Sequence, residues 1–473
     1  MNLKYFVLVK QLAAALAAIS VVACASIPAN DSARQKLQAT WVVLGENGSA
    51  IARAVTLDTQ CPTIRQDGVA QRMQMRAPAT TEQQRATVSK PEDSKPTVFN
   101  VLTCEQILDV ALNSADIEGV ALALPKLLPQ KIVVIGDTGC RLQKKDGYFQ
   151  GCNDANLWAF PAVAKLAASF QPDLVIHVGD YHYRENACPK DDPRCVGSAW
   201  GYGWDTWRAD FFTPAAPLLA VAPWVMVRGN HESCSRAGQG WWRLMDPRPL
   251  VARRDCNHEA DDALGDYSAP YAIPLGRIGT ELAQLIIFDS SKVPYKALNK
   301  ADPAYQIYLQ QFQIVNQLTE HAVLNLFVNH HPILGFGADP QSDGSMKLFG
   351  GSAALQDVMQ NLNANRLFPA KVQATISGHV HLFEAITFET DHPAQFISGN
   401  GGSSLSLLLP QPLPVGATPF PGARVAHFSN TDEVGLMTME RLDQGWKIVA
   451  WNQQGKRLTT CVLLGKKASC SSP

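Results

Sequence analysis

Residues 172–183, PDLVIHVGDYHY, decide the fold. The apolar run Leu174-Val175-Ile176 gives way to Gly179, Asp180, His182 and Tyr183, the pattern of a strand buried on both faces with polar groups just past its C-terminal end. In open α/β sheets ligands bind at that end, so Asp180 is the first candidate for the centre of an active site.

Working outward, other apolar runs stop in the same way. Ile132-Val133-Val134-Ile135 ends at Gly136-Asp137-Thr138-Gly139, and Trp224-Val225-Met226-Val227 runs into Arg228-Gly229-Asn230-His231-Glu232. Residues 324–328 stop at Asn329-His330-His331-Pro332, and residues 374–377 precede Gly378-His379-Val380-His381. Helical patterns lie between them at 158–170, near 204–212 and from Asp302-Pro303 to about 320, where the aspartate is a cap and the proline suits a first turn. Alternating strands and helices predict an α/β domain over 129–473, and strand ends on one side of a sheet converge in space. Residues 434–461 read as paired strands around an Asp443-Gln444-Gly445 turn that close the same sheet system, and 399–416 as a loop at the site mouth.

Before residue 129 the texture differs. Runs such as Thr40-Trp41-Val42-Val43-Leu44 and residues 50–57, separated by turns and by a polar stretch at 78–96, predict a small β-rich N-terminal domain over 30–128, arranged as a sandwich. At 473 residues and 46% hydrophobic composition the chain can bury a large core, and a formal net charge of −1 removes the electrostatic case for a nucleic-acid partner.

Residues 1–24 read as a targeting segment, with Lys4 and Lys10 ahead of an apolar run too short to span a bilayer comfortably. Val21-Val22-Ala23-Cys24 resembles a bacterial lipobox, in which a lipidated Cys24 would attach the protein to a membrane; Ala23-Cys24-Ala25 fits simple secretion instead. The first reading is favoured and predicts an exported protein, a periplasmic or outer-membrane (cell-surface) lipoprotein of a bacterium. Setting Cys24 aside leaves ten of the 11 cysteines, and an even number in an exported chain predicts disulfides between sequence neighbours: Cys61 with Cys104, Cys140 with Cys152, Cys188 with Cys195, Cys234 with Cys256 and Cys461 with Cys470. The alternative, a zinc cluster, lacks any C-x-x-C spacing.

The strand ends collect Asp137, Asp180, Tyr183, Asn230, His231, His330, His331, His379 and His381. Carboxylate, imidazole and amide ligands without thiolate suit Fe, Mn or Zn. The set exceeds the three protein ligands of a catalytic zinc, so it favours two metals sharing a carboxylate. Such a pair, about 3.5–4 Å apart, clamps the oxygens of an in-line displacement, which points to phosphate-ester hydrolysis.

The ordered blocks GDTG (136–139), GDYHY (179–183), GNHE (229–232), NHHP (329–332) and GHVH (378–381) resemble those of the calcineurin-like metallophosphoesterases. Within them, G-D-x-G at Asp137 and G-D-x-x-Y at Tyr183 look most like the purple acid phosphatases. The resemblance implies two mixed β-sheets packed as a sandwich and flanked by helices. It also implies a centre of Fe(III) plus a divalent Fe, Zn or Mn, with Asp137, Asp180, Tyr183 and His381 on the ferric ion, Asp180, Asn230, His330 and His379 on its partner, and Asp180 bridging. His231 would contact the substrate phosphate or protonate the leaving alkoxide, and metal-bound hydroxide would attack a small phosphorylated substrate as in an acid phosphatase. The family pattern selects His330 over His331, leaving His331 to contact substrate or simply to pack. Two alternatives stand beside this phosphomonoester hydrolase: a phosphodiesterase of the same superfamily with two divalent metals, and a non-catalytic surface-binding lipoprotein. Tyr183 separates the first pair, since a tyrosine at a strand end is otherwise a packing residue.

Overall fold

The structure is a computed structural model that describes residues 31–109 and 111–471. The targeting segment and Cys24 lie outside these residues.

Two mixed sheets form the body. In the first, Lys131–Ile135, Leu174–His177 and Trp224–Met226 run parallel side by side, with Val133 opposite Val175 and Ile176 opposite Val225. These are the short all-apolar runs of the sequence, and they lie centrally because both of their faces are covered. Gly435–Leu442 joins antiparallel beside Lys131–Ile135 and is followed outward by Gly445–Asn452, Arg457–Leu464 and Lys467–Ser471. The second sheet has seven strands, with Glu281–Ile287, Leu324–Val328, Val372–Ser377 and Ala394–Ser398 parallel at its centre.

Alternate residues of the central strands explain the layers. Ile132, Val134, Leu174, Ile176 and Val225 face Leu285, Ile287, Leu326, Val328, Ala374 and Ile376 in one apolar cluster between the sheets. The intervening Val133, Ile135, Val175, Trp224 and Met226 turn outward onto Val163, Ala164 and Ala167 of the helix Phe160–Ser169 and onto Phe211 and Leu218. On the far side, Ile286 and Phe327 meet Tyr308, Phe312 and Val315 of the helix Pro303–Leu318 and Leu355, Val358 and Met359 of the helix Ala353–Asn363. The result is a two-sheet sandwich flanked by helices.

The N-terminal region is β-rich, as its alternating runs predict, and its strands extend the first sheet. Leu37–Leu44 pairs parallel with Trp224–Met226 through Val43 opposite Trp224, and Ala50–Thr56, Leu102–Ile107 and Gln74–Ala77 follow antiparallel. A separate, four-stranded sheet, including Thr63–Gln66 and Ala115–Ile117, closes over Val42, Ala52, Ala54 and Leu102. Trp41, Val43 and Phe99 belong to the same apolar cluster as Trp207 and Trp224, so one core runs across residues 128 and 129.

All five disulfides form between the sequence neighbours expected. Such a number is the signature of an exported or extracellular protein. Among the described residues no helix is long and apolar enough to cross a membrane. Trp204, Trp207, Trp241 and Trp242 are core. The helical pattern at 204–212 is a short helix, Trp204–Trp207, that widens into a π turn at Arg208–Phe212 before Thr213–Leu219.

Candidate metal centre

The first sheet delivers Asp137, Asp180 and Asn230 from the ends of adjacent parallel strands, and the second delivers His330 and His379 from the ends of two of its own. Three of these turns are bent against preference: Asp137, Asp180 and His379 have φ of 55°, 58° and 69°, left-handed conformations that cost a non-glycine residue on the order of 1–3 kcal/mol each. Close approach of the turns makes glycine necessary beside them. A Cβ at Gly179, itself at φ 103°, would lie 2.6 Å from His330 Nδ1, and one at Gly229 would collide with the Asp180 carboxylate.

Glu232 holds the central turn. Its Oε2 accepts from the N–H groups of Asp180 and Gly229, both at 3.0 Å, and its Oε1 from those of Tyr181 at 2.9 Å and His182 at 3.2 Å. Asp210, also fully buried, accepts from the backbone N–H of Tyr183 and Cys140 and from Arg184, so it joins the turns that carry Asp137 and Tyr183.

The predicted side chains form two groups that meet at Asp180. In the first, the Tyr183 hydroxyl lies 3.1 Å from Asp137 Oδ1, 2.9 Å from Asp180 Oδ2 and 2.9 Å from His381 Nε2. In the second, Asp180 Oδ2 is 3.2 Å from His330 Nε2, while Asn230 Oδ1 is 3.0 Å from both His330 Nε2 and His379 Nδ1. The ligand atoms of Asp180, His330 and His379 all lie within 4.8 Å of one another. Separations near 3 Å are what adjacent ligands of one ion show when each bond is ~2.1 Å long, so the donor set fits a metal in chemistry and spacing. The outer nitrogens are already committed: His330 Nδ1–H donates to Val178 O at 2.8 Å, and His381 Nδ1 faces Ser404 O in the 399–416 loop, so that each Nε2 is the nitrogen turned to the site.

Charge is arranged accordingly. Burial opposes ionisation of Asp180, but His330 and His231 hold its carboxyl well below the usual range. Burial likewise disfavours charge on His330, yet Asp180 lifts it to about 9. Burial, with His331 and His330 nearby, keeps His379 well below its ordinary value, so its imidazole is neutral, as a metal ligand must be.

His231 and His331 stand outside this set. His231 Nε2 is 4.0 Å from Asp180 Oδ2 and its Nδ1 is 3.0 Å from Glu185 Oε1, with the ring packed 3.9 Å from that of Tyr183. Glu185 is fully buried; burial pushes its carboxyl up, but Arg236, 2.9 Å away, and His231 bring it down to about 2. His331 lies 4.1 Å, ring to ring, from His379, with Nδ1 3.2 Å from Ser290 Oγ, and burial and His330 lower it to about 3. His182 is buried beneath Tyr202 and Trp207, away from solvent. His177 is core, stacked on Tyr181 at 3.8 Å and 3.0 Å from Thr138 Oγ1.

Glu185, Asp210, Glu232 and Ser290 are the residues the sequence reading left without a role. Glu185 and Glu232 sit beside or within motif blocks, which is the one signal that could have raised them; Asp210 is 27 residues from Tyr183 and carries none.

A family model described as calcineurin-like phosphoesterase matches residues 130–383, just over half of the chain. Among solved structures, a purple acid phosphatase, PPD1, from yellow lupin (Lupinus luteus) seeds is 13% identical, with a TM-score of 0.52, covering 92% of this chain and 74% of its own. PhoD is 11% identical with a TM-score of 0.50, covering 92% of both chains. At these identities the likeness is one of fold. No curated protein sequence matches the chain.

Proposed function

Because the chain belongs to the calcineurin-like phosphoesterases, and its site has the composition described above, we propose that it is a binuclear metal-dependent phosphomonoester hydrolase of the purple acid phosphatase type. The observation that carries this reading is the Tyr183 hydroxyl, buried among Asp137, Asp180 and His381 and not packed against the apolar core. A phenol in a donor set of hard oxygens and imidazole suits ferric iron.

Asp137, Asp180, Tyr183 and His381 would hold the ferric ion, and Asp180, Asn230, His330 and His379 a divalent Fe, Zn or Mn, with Asp180 shared. When bound, the pair supplies positive charge that polarises the phosphoryl group and activates water under acidic conditions. The protein's own contribution is placement and proton transfer. Glu185 holds the His231 ring electrostatically from the Nδ1 side, leaving Nε2 turned toward the site to bind a phosphoryl oxygen and to give its proton to the departing alkoxide. Burial and Arg236 lower the His231 pKa, while Asp180 and Glu185 work to raise it, which suits an acid used at low pH. His331, its ring tilted at 40° to that of His379 and 4.1 Å away, supports that ring. A lipidated Cys24 would hold the enzyme at a bacterial membrane.

The test is spectroscopic and kinetic. The protein isolated from its native compartment should contain iron and absorb visible light, and Tyr183→Phe should lose the band with its fold intact by circular dichroism. A colourless, fully metal-loaded and active wild type would overturn the ferric reading. Faster turnover of an aryl monoester than of a bis-aryl diester supports the monoesterase, and the reverse order would make it a phosphodiesterase.

A further inference from the structure

Among the described residues of the donor set, two reach toward solvent. Asp137, Asp180, Tyr183, His231, His330, His331 and His381 are all buried, whereas Asn230 and His379 are only partly covered. Beside His379 stands Tyr295, whose ring centre is 6.0 Å from the imidazole at an angle of 34° and which is 84% exposed. Its hydroxyl is within electrostatic reach of Arg236, Asp180 and Arg141. The loop that carries it is fixed from its start: Ser290 Oγ accepts from the N–H groups of His330 and His331, at 3.2 and 3.0 Å, and Val293 N–H returns to Ser290 O. An aromatic ring on a pinned loop at the mouth of a polar site offers a flat apolar face to whatever enters.

We propose that Tyr295 is a specificity-determining residue: its ring is the platform for the alcohol part of the substrate, so that the favoured substrates are phosphate esters whose leaving group is aromatic. This rests on the phosphoesterase reading of the same site. While the phosphate lies among His231 and the residues around Asp180, the group beyond the ester oxygen lies toward Asn230 and His379, where an aromatic leaving group stacks on Tyr295 and a small polar one gains nothing from its ring.

The test uses the full, metal-loaded enzyme and two phosphonates that cannot be hydrolysed, phenylphosphonate and methylphosphonate, with binding followed by calorimetry. Wild type should bind the phenyl compound roughly five- to tenfold more tightly, Tyr295→Phe should keep the difference, and Tyr295→Ala should erase it, leaving methylphosphonate affinity unchanged. Kinetically, Tyr295→Ala should raise KM for phenyl phosphate by the same factor with kcat held, and leave glycerol phosphate unaffected. Equal binding of both phosphonates by wild type would overturn the proposal, as would equal weakening of both in Tyr295→Ala or loss of the preference in Tyr295→Phe. If phenylphosphonate binds through Tyr295 but neither ester is hydrolysed, the platform stands and the phosphoesterase reading falls.

Discussion

Glu185 is the residue on which the proposed proton transfer most depends, and it touches none of the candidate ligands directly. Its carboxylate lies between His231 and Arg236, with Gln143 donating to its other oxygen at 2.9 Å. Replacing it with glutamine keeps the shape and removes the charge. Because Glu185 raises the His231 pKa, Glu185→Gln should move the basic limb of the pH–rate profile to lower pH. It should also cut kcat about tenfold or more with metal content unchanged, as measured by steady-state kinetics across pH and by metal analysis. An unshifted limb would remove Glu185 from the mechanism. At this scale the sequence was most informative where a residue type is rare outside sites, as for the histidines of 330 and 379. It was silent on Glu185 and Asp210, since a charged residue on a loop announces nothing about the group it meets in space.

Among the elements, the strand ends were legible because a short apolar run bounded by turn residues has few other uses. Leu324–Val328 coincides with its predicted range, and Lys131–Ile135 differs by one residue. Helices were less so: the predicted helix at 158–170 is Phe160–Ser169, and Asp302 begins the helix Pro303–Leu318 without a side-chain cap bond, its carboxylate accepting instead from Asn299 N–H. What the pattern could not reveal is how the turns are held. Asp180 keeps its left-handed backbone because four N–H groups around it converge on Glu232. Glu232→Ala leaves those donors without a partner and frees the turn. Metal affinity should fall roughly 10–100-fold. Competition with a chelator reads this, and circular dichroism should show the sheets unchanged. Undiminished metal affinity would mean that strand packing alone holds the turn.

Over the whole molecule, stability should respond to pH through Glu384. This side chain is fully buried on Phe383–Phe388, where it accepts from Phe336 N–H at 3.1 Å, and burial pushes its carboxyl up from 4.5 to about 8. A raised pKa means that its contribution is intact below about pH 4.5, where the unfolded chain is also protonated, and is lost as pH rises toward 8. Glu384→Gln should therefore raise Tm at pH 7, by an amount equivalent to roughly 2–3 kcal/mol, and change it little at pH 4. Equal shifts at the two pH values would contradict this.

The layered architecture was readable from the alternation of runs and helices. The role of the N-terminal strands was not, because parallel pairing of Val43 with Trp224 joins residues too distant for any local pattern to report. That single contact also governs how the molecule can be assembled. Leu37–Leu44 is made early and has to wait for Trp224 before its parallel neighbour exists, so the growing chain carries an unsatisfied strand through much of synthesis and export. Residues 129–473 produced alone would expose Trp224–Met226 as a bare edge and strip Trp41 and Val43 from the core. We expect that fragment to associate through this edge, seen as large species in light scattering, and to be rescued as a monodisperse protein by supplying residues 31–128 in trans. The β-rich region is in this sense an internal template, the part of the chain that tells the catalytic sheet where to stop.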